Sequence, residues 1–141
     1  IAYTQSYYNG GLVVVLRPGV DRAALVGRPV AIEVGADADA RAVAVTTALG
    51  GPNLVRAMDI ETMQRWLAEG SVDGAVADAV LASTLTRNVP GLKIADGYLT
   101  DQPFVMAVRA SDNALRSAID AVLTDMKTDE TLARIAARWL R

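Results

Sequence analysis

The chemistry available to this chain lies in carboxylates placed where strands give way to helices. The stretch "GSVDGAVADAVLAS" (70–83) carries an apolar segment that finishes on Asp78, directly before a helical run over Ala79–Arg87. An ionised carboxylate there can accept from the first free amides of the helix as an N-cap. It can also accept charge-assisted hydrogen bonds from an ammonium or another donor on a ligand. Spacing alone favours the cap, and the two uses are compatible because a cap consumes one edge of the carboxylate. A second group, Glu33, Gly35, Ala36, Asp37 and Asp39, lies in "AIEVGADADA" (31–40), between a strand and a helix. A helix start attracts anions, so Asp37 and Asp39 can serve as internal counter-charges there. The same acids repel an anionic ligand group. Glu33 fits an exposed strand edge.

Other chemistry is excluded by residue type. The 141 residues include no histidine and no cysteine, so a histidine-based triad, a thiol nucleophile, a disulfide and a soft-metal site are all ruled out. A hard cation would need spaced oxygen ligands, and no loop supplies them; no cofactor and no metal are expected. Sixteen acidic residues against 14 basic give a net charge of −2, and no basic run is longer than a pair. Nucleic acid is therefore not an expected partner. Hydrophobic residues make up 52% of the chain, enough for one domain with a real core, yet runs such as "GLVVVL" are far too short to span a bilayer.

The elements that must position these acids alternate. "LVVVLR" (12–17) reads as a buried strand between Gly10-Gly11 and Pro18-Gly19. A short helical turn follows, Gly27 stops it, and a strand is expected over Pro29–Val34. A helix is expected over Asp39–Leu49, ended by Gly50-Gly51-Pro52. A strand over 53–58 leads to a helix capped by Asp59 and closed by Gly70, with Ile60, Met63, Trp66 and Leu67 at helical spacing. Further strands are expected at Val72–Val76, 92–96 and 104–109. Two closing helices are expected, capped by Ser111 and Thr128, with Trp139 in the apolar stripe of the second; Trp66 and Trp139 are read as core. Arg17, Arg22, Arg28 and Arg41 have no evident partner and are read as solvated. Strands apolar on both faces, alternating with helices, indicate an α/β domain with a mainly parallel sheet. Ligands of such sheets sit beyond the carboxyl ends of the strands, where Asp78 and the Gly35 loop fall.

Four segments, in order, carry a family resemblance: "IAYTQSYYNGGLVVVLRPG", "AALVGRPVAIEVGADADA", "MQRWLAEGSVDGAVADA" and "DQPFVMAVRASDNALRSAIDAVLTDMKTDETLARIAARWL". Together they resemble family 3 of the bacterial extracellular solute-binding proteins, the amino-acid-type receptors of ABC importers, over essentially the whole chain. The resemblance implies a periplasmic-binding-protein-like lobe with helices flanking its sheet, followed by C-terminal helices that belong to the other lobe. It divides the chain into a first hinge crossing (1–8), the second lobe (9–100), a second crossing (101–104) and the closing part of the first lobe (105–141). The hinge residues it implies are Thr4, Gln5, Ser6, Asp101, Gln102 and Pro103, with Tyr7 and Tyr8 packed beside the first crossing. The N-terminal half of the first lobe, including the arginine that grips an α-carboxylate in the family, is expected to be absent. The chain opens on Ile1, without an initiator methionine or signal peptide, so a mature, trimmed or partial chain is expected.

By the same resemblance, Asp78 matches the aspartate that takes a ligand's α-amino group, and Glu33 sits where many relatives carry a polar ligand-contacting residue, although strand-edge exposure explains it equally well. The "GADAD" loop departs from the family's Gly-Thr pattern, because Ala36 stands at the threonine position. The implied function is non-enzymatic capture of a small polar solute, an amino acid, amine or related compound, for an ABC permease. That implies a periplasmic or extracellular location, with or without a membrane anchor. The rival is a sensor or accessory protein that binds a partner protein. A dehydratase acting on a cyclic acid is a third use of the scaffold, for which no residue beyond Asp78 or Glu33 offers support. Self-association, or a partner chain over the surface left by the missing half-lobe, is expected.

Overall fold

The computed structural model describes residues 1–140. In chain order its strands are β1 (Ala2–Tyr3), β2 (Tyr8–Asn9), β3 (Leu12–Leu16), β4 (Pro29–Glu33), β5 (Asn53–Ala57), β6 (Gly74–Asp78), β7 (Lys93–Ile94), β8 (Pro103–Phe104) and β9 (Ala107–Val108). Its α-helices are α1 (Asp37–Ala40), α2 (Ala42–Ala48), α3 (Ile60–Glu69), α4 (Ala79–Asn88), α5 (Asn113–Thr128) and α6 (Thr131–Trp139), and a 3-10 turn spans Arg22–Leu25. Two compact units result, residues 11–101 and residues 1–10 with 102–141.

The 11–101 unit is built on a five-stranded sheet in the order β5-β4-β6-β3-β7. β4 runs parallel to β5 and β6, while β3 runs antiparallel to both β6 and β7. Four strands thus share one direction and β3 opposes them. All five residues of β3 are buried, as a strand covered on both faces requires. Leu12, Val14 and Leu16 join Val30, Ile32 and Val76 in one apolar cluster with Ala38, Val45 and Leu49 of the α1–α2 segment. The alternate side chains Val13, Val15, Ala31, Ala75 and Ala77 are also buried, and α3 and α4 pack on these strands with Met63, Leu67, Ala82 and Leu85 inside. At about 25 cal/mol per Å² of apolar surface, burial on both faces is the main stabilising term for this sheet.

α3 shows why local signals succeed. The Asp59 carboxylate accepts from the Thr62 amide at 2.7 Å, and Gly70 ends the helix at φ +85°, a left-handed conformation that glycine adopts without penalty. Several boundaries differ from those expected. The fourth strand of the sheet's sequence is Gly74–Asp78 rather than Val72–Val76, because its partner Leu12–Leu16 sets the register and pairs Leu12 with Asp78. The helix expected from Asp39 begins at Asp37 and is interrupted at Arg41. β4 ends at Glu33, one residue before Val34.

In the other unit, the strand expected over 104–109 is two short pieces. β8 pairs with β2 and β9 pairs with β1, both antiparallel. Gly10 N–H donates to the Gln102 carbonyl at 2.9 Å, so the chain's two passages run side by side. The Phe104 ring takes edge contacts from Tyr7 and Tyr8, with centroids 6.5 and 5.7 Å away. Ser111 and Thr128 cap nothing: α5 follows Asp112 without a side-chain cap, and Thr128 is the last residue of α5. The Asp129 carboxylate instead accepts from the Thr131 amide at 2.8 Å, at the start of α6. Trp66 is half-buried, and Trp139 is 59% exposed with the Arg138 guanidinium 5.1 Å from its ring, so neither is a core residue. Leu115, Val122 and Ile135 share this exposure on α5 and α6.

Candidate functional site

Strand order determines where a ligand can meet the sheet. From β4 the chain crosses to β5 on one side, whereas from β6 it proceeds through α4 to β7 on the other. The order therefore switches between β4 and β6, and the carboxyl ends of those two adjacent strands form the crevice position of an α/β sheet. Register brings the expected residues together there. Val30 pairs with Gly74 and Ala31 with Ala75, and the same offset sets Val34 opposite Asp78. Neighbouring strands lie about 5 Å apart, so Glu33, Gly35 and Asp78 share one edge.

Asp78 is the last residue of β6 and the N-cap of α4. Its Oδ1 accepts from the Val80 and Leu81 amides, each at 2.9 Å. Among the described residues no group bonds its Oδ2. The cap thus uses one oxygen and leaves the other as an acceptor at the strand edge.

The Gly35 loop is held from within. Gly35 has φ +76°, a conformation that a side chain would strain. Its N–H donates to Asp39 Oδ2 at 3.1 Å, while Arg56 Nε donates to Asp39 Oδ1 at 2.7 Å. The Gly35 amide, followed by Arg56, holds the Asp39 carboxyl below the usual carboxylate range. Asp37 receives both Arg41 Nε contacts, at 2.8 and 3.0 Å. Ala36 precedes α1 and offers no side-chain cap. Three arginines read as solvated have acid partners: Arg41 with Asp37, Arg28 with Asp73 at 3.2 Å, and Arg17 with Asp73 at 3.9 Å. Arg56 had no signal in the sequence, since its partner lies 17 positions away and on another element.

Asp59 stands at the head of α3, beyond β5. Hydrogen bonds from the Thr62 hydroxyl and amide hold its carboxyl below the usual range. The consequence for stability has a definite sign. Groups with depressed folded-state pKa values bind fewer protons folded than unfolded, so their contribution is present above about pH 4 and is lost as pH falls through the lowered values. Melting temperature should therefore fall between about pH 4 and pH 2, and Asp59→Asn should flatten that fall. A variant whose acid limb matches the parent protein would show that this cap does not titrate with folding.

The expected crossing residues fall at two kinds of position. Thr4 is buried, and its Oγ1 accepts from the Met106 amide at 3.0 Å. Gln5 is tied to α5 through the Asp120 carboxylate at 2.7 Å, the Asp120 carbonyl at 2.6 Å and Thr124 Oγ1 at 2.8 Å. Ser6 follows in the same passage. Asp101 closes the 11–101 unit, and Gln102 opens the return, its amide donating to Asn9 Oδ1 at 3.0 Å ahead of Pro103 in β8.

Comparison with known proteins agrees with this architecture. The model for bacterial extracellular solute-binding proteins, family 3, matches residues 1–141. The structure of holo ArgBP from T. maritima is 28% identical, with 89% of this chain and 56% of that chain covered and a TM-score of 0.57. Substrate binding domain 2 of Lactococcus lactis GlnP in its open conformation reaches a TM-score of 0.76 at 16% identity, covering 99% of this chain and 62% of that one. A curated relative, membrane-bound lytic murein transglycosylase F of Desulfosudis oleivorans, is 32% identical over 79 residues, which are 56% of this chain and 17% of that protein. The chain thus spans less than two thirds of these solved chains and under a fifth of that enzyme.

Proposed function

The chain belongs to family 3 of the bacterial extracellular solute-binding proteins, and from that premise we propose that it captures a small polar solute for ABC import. Capture proceeds by closure of two lobes about the paired crossings at Thr4–Ser6 and Asp101–Pro103. The observation that carries this reading is Asp78: it stands at the switch in strand order with Oδ1 committed to the helix and Oδ2 free to accept from a solute. Glu33 and the Gly35–Asp37 turn border the same edge. A mutant of the same T. maritima protein, solved in an arginine-bound form, supports a nitrogen-bearing solute. Family membership implies an extracytoplasmic location; residence in the periplasm, with or without an anchor, is part of the proposal. The reading is one of binding and not of catalysis. Exposed apolar side chains on α5 and α6 support contact of that surface with further polypeptide.

Titration calorimetry of the full polypeptide carrying these residues, against amino acids, amines and small organic acids, tests the proposal. Saturable binding of at least one solute is expected, and silence across the panel would remove it.

One observation favours a second reading. The transglycosylase relatives match over only 17% and 14% of their length, which suits a related segment working as one part of a larger protein. A sensory or accessory role would follow, with a partner protein in place of a nutrient. Permease and ATPase genes beside this one favour import, whereas an adjacent enzyme or kinase gene favours the second reading.

A further inference from the structure

We infer that the solute is cationic, and that the Gly35–Asp39 turn bars a carboxylate from this edge. The inference rests on the solute-binding reading of Asp78 given above. The site itself stands on Asp78 and the strand order; the surrounding charge decides what enters it. Residues 33–41, 56–62 and 78–81 contain the ends of the three parallel strands and the helix starts that follow them. They hold six acids (Glu33, Asp37, Asp39, Asp59, Glu61 and Asp78) against two bases, Arg41 and Arg56, a local charge of −4 in a chain of −2. Both guanidinium groups are already held, by Asp37 and by Asp39. An incoming anion would have to compete with a carboxylate of the chain itself for either of them.

The backbone offers an anion no better reception. The Gly35 N–H, two residues past the end of β4, is taken by Asp39 Oδ2 at 3.1 Å, and the Val34 N–H before it by the Ala57 carbonyl at 2.9 Å. An internal carboxylate thus fills the place that a solute carboxylate would need. α1 has only four residues, too few for a helix dipole to draw an anion in its stead. Asp78 Oδ2, an acceptor with no proton of its own to give, matches an ammonium or guanidinium donor. A surface lined by acids raises the local concentration of cations and repels anions. A neutral isostere keeps the shape of the solute and loses that attraction.

Calorimetry of the full polypeptide with matched solutes tests this: arginine and agmatine as cations, citrulline as the neutral isostere, and glutamate as the anion. Arginine or agmatine should bind at least about tenfold tighter than citrulline, glutamate should not bind, and the cation's affinity should fall as salt rises from about 0.05 to about 0.5 M. Asp39→Asn keeps the shape and removes one charge; the cation-to-neutral ratio should shrink several-fold and glutamate binding should emerge, in protein whose melting curve shows it folded. A neutral or anionic solute bound as tightly as the cations overturns the inference and leaves solute binding intact. An unchanged ratio in Asp39→Asn overturns the role given to that residue. Absence of binding by every solute overturns the solute-binding reading, and the inference with it.

Discussion

Asp78→Asn is expected to remove most solute affinity and leave stability almost unchanged. Asparagine is as good an N-cap as aspartate, and its side-chain oxygen can still accept from the Val80 and Leu81 amides that Asp78 Oδ1 now holds at 2.9 Å. Unfolding free energy in urea should therefore move by less than about 0.5 kcal/mol. The ionised acceptor at Oδ2 is what disappears. A hydrogen bond to a charged group contributes about 1.5–3 kcal/mol, so affinity for an ammonium- or guanidinium-bearing solute should drop roughly 10- to 150-fold. Asp78→Ala loses both functions and adds about 1 kcal/mol of destabilisation. The pair of variants separates cap from ligand contact by calorimetry and urea titration on the same samples. Full binding by Asp78→Asn would leave this carboxylate as a helix cap and nothing more.

How far the sequence foretold these features depends on how local each interaction is. Asp59 and Thr62 are three residues apart, and Gly70 follows directly on the helix it ends, so both signals lie within one window. Asp78 is legible for the same reason. The strand leading to it is misplaced by two residues because Val72 is buried like a strand residue yet lies in the turn before Gly74. Only the pairing with Leu12–Leu16, some 60 positions away, resolves that. Likewise "FVMAVR" carries strand composition throughout, and its division into two pieces is dictated by short partners near the chain start. The Asp39–Arg56 pair, which completes the Gly35 loop, joins elements on either side of α2 and has no periodic trace. Trp139 makes a related point: an amphipathic stripe says which face of a helix seeks cover, and is silent on what covers it.

The same dependence on distant partners makes Gly74→Ala the most damaging small substitution expected here. Gly74 begins β6, is buried, and lies between β4 and β3, paired with Val30 on one side and Leu16 on the other. A Cβ there would come 2.7 Å from the Val15 carbonyl oxygen and 3.6 Å from side-chain methyls of Leu16 and Leu25. The obstacle is backbone in a strand buried along its whole length, so relief requires β3 and β6 to separate where they hydrogen-bond. Overpacking of a core typically costs about 1–3 kcal/mol, and an unyielding carbonyl places this case at about 3 kcal/mol or more. Gly10→Ala supplies the contrast. Its Cβ would enter the ring of Phe104, a side chain that can rotate aside, so a loss nearer 1 kcal/mol is expected. Urea unfolding of both variants distinguishes the cases. Equal, small losses would mean that the β3–β6 pair can part without cost to the rest of the sheet, and that the edge bearing Asp78 is less rigidly set than its register implies.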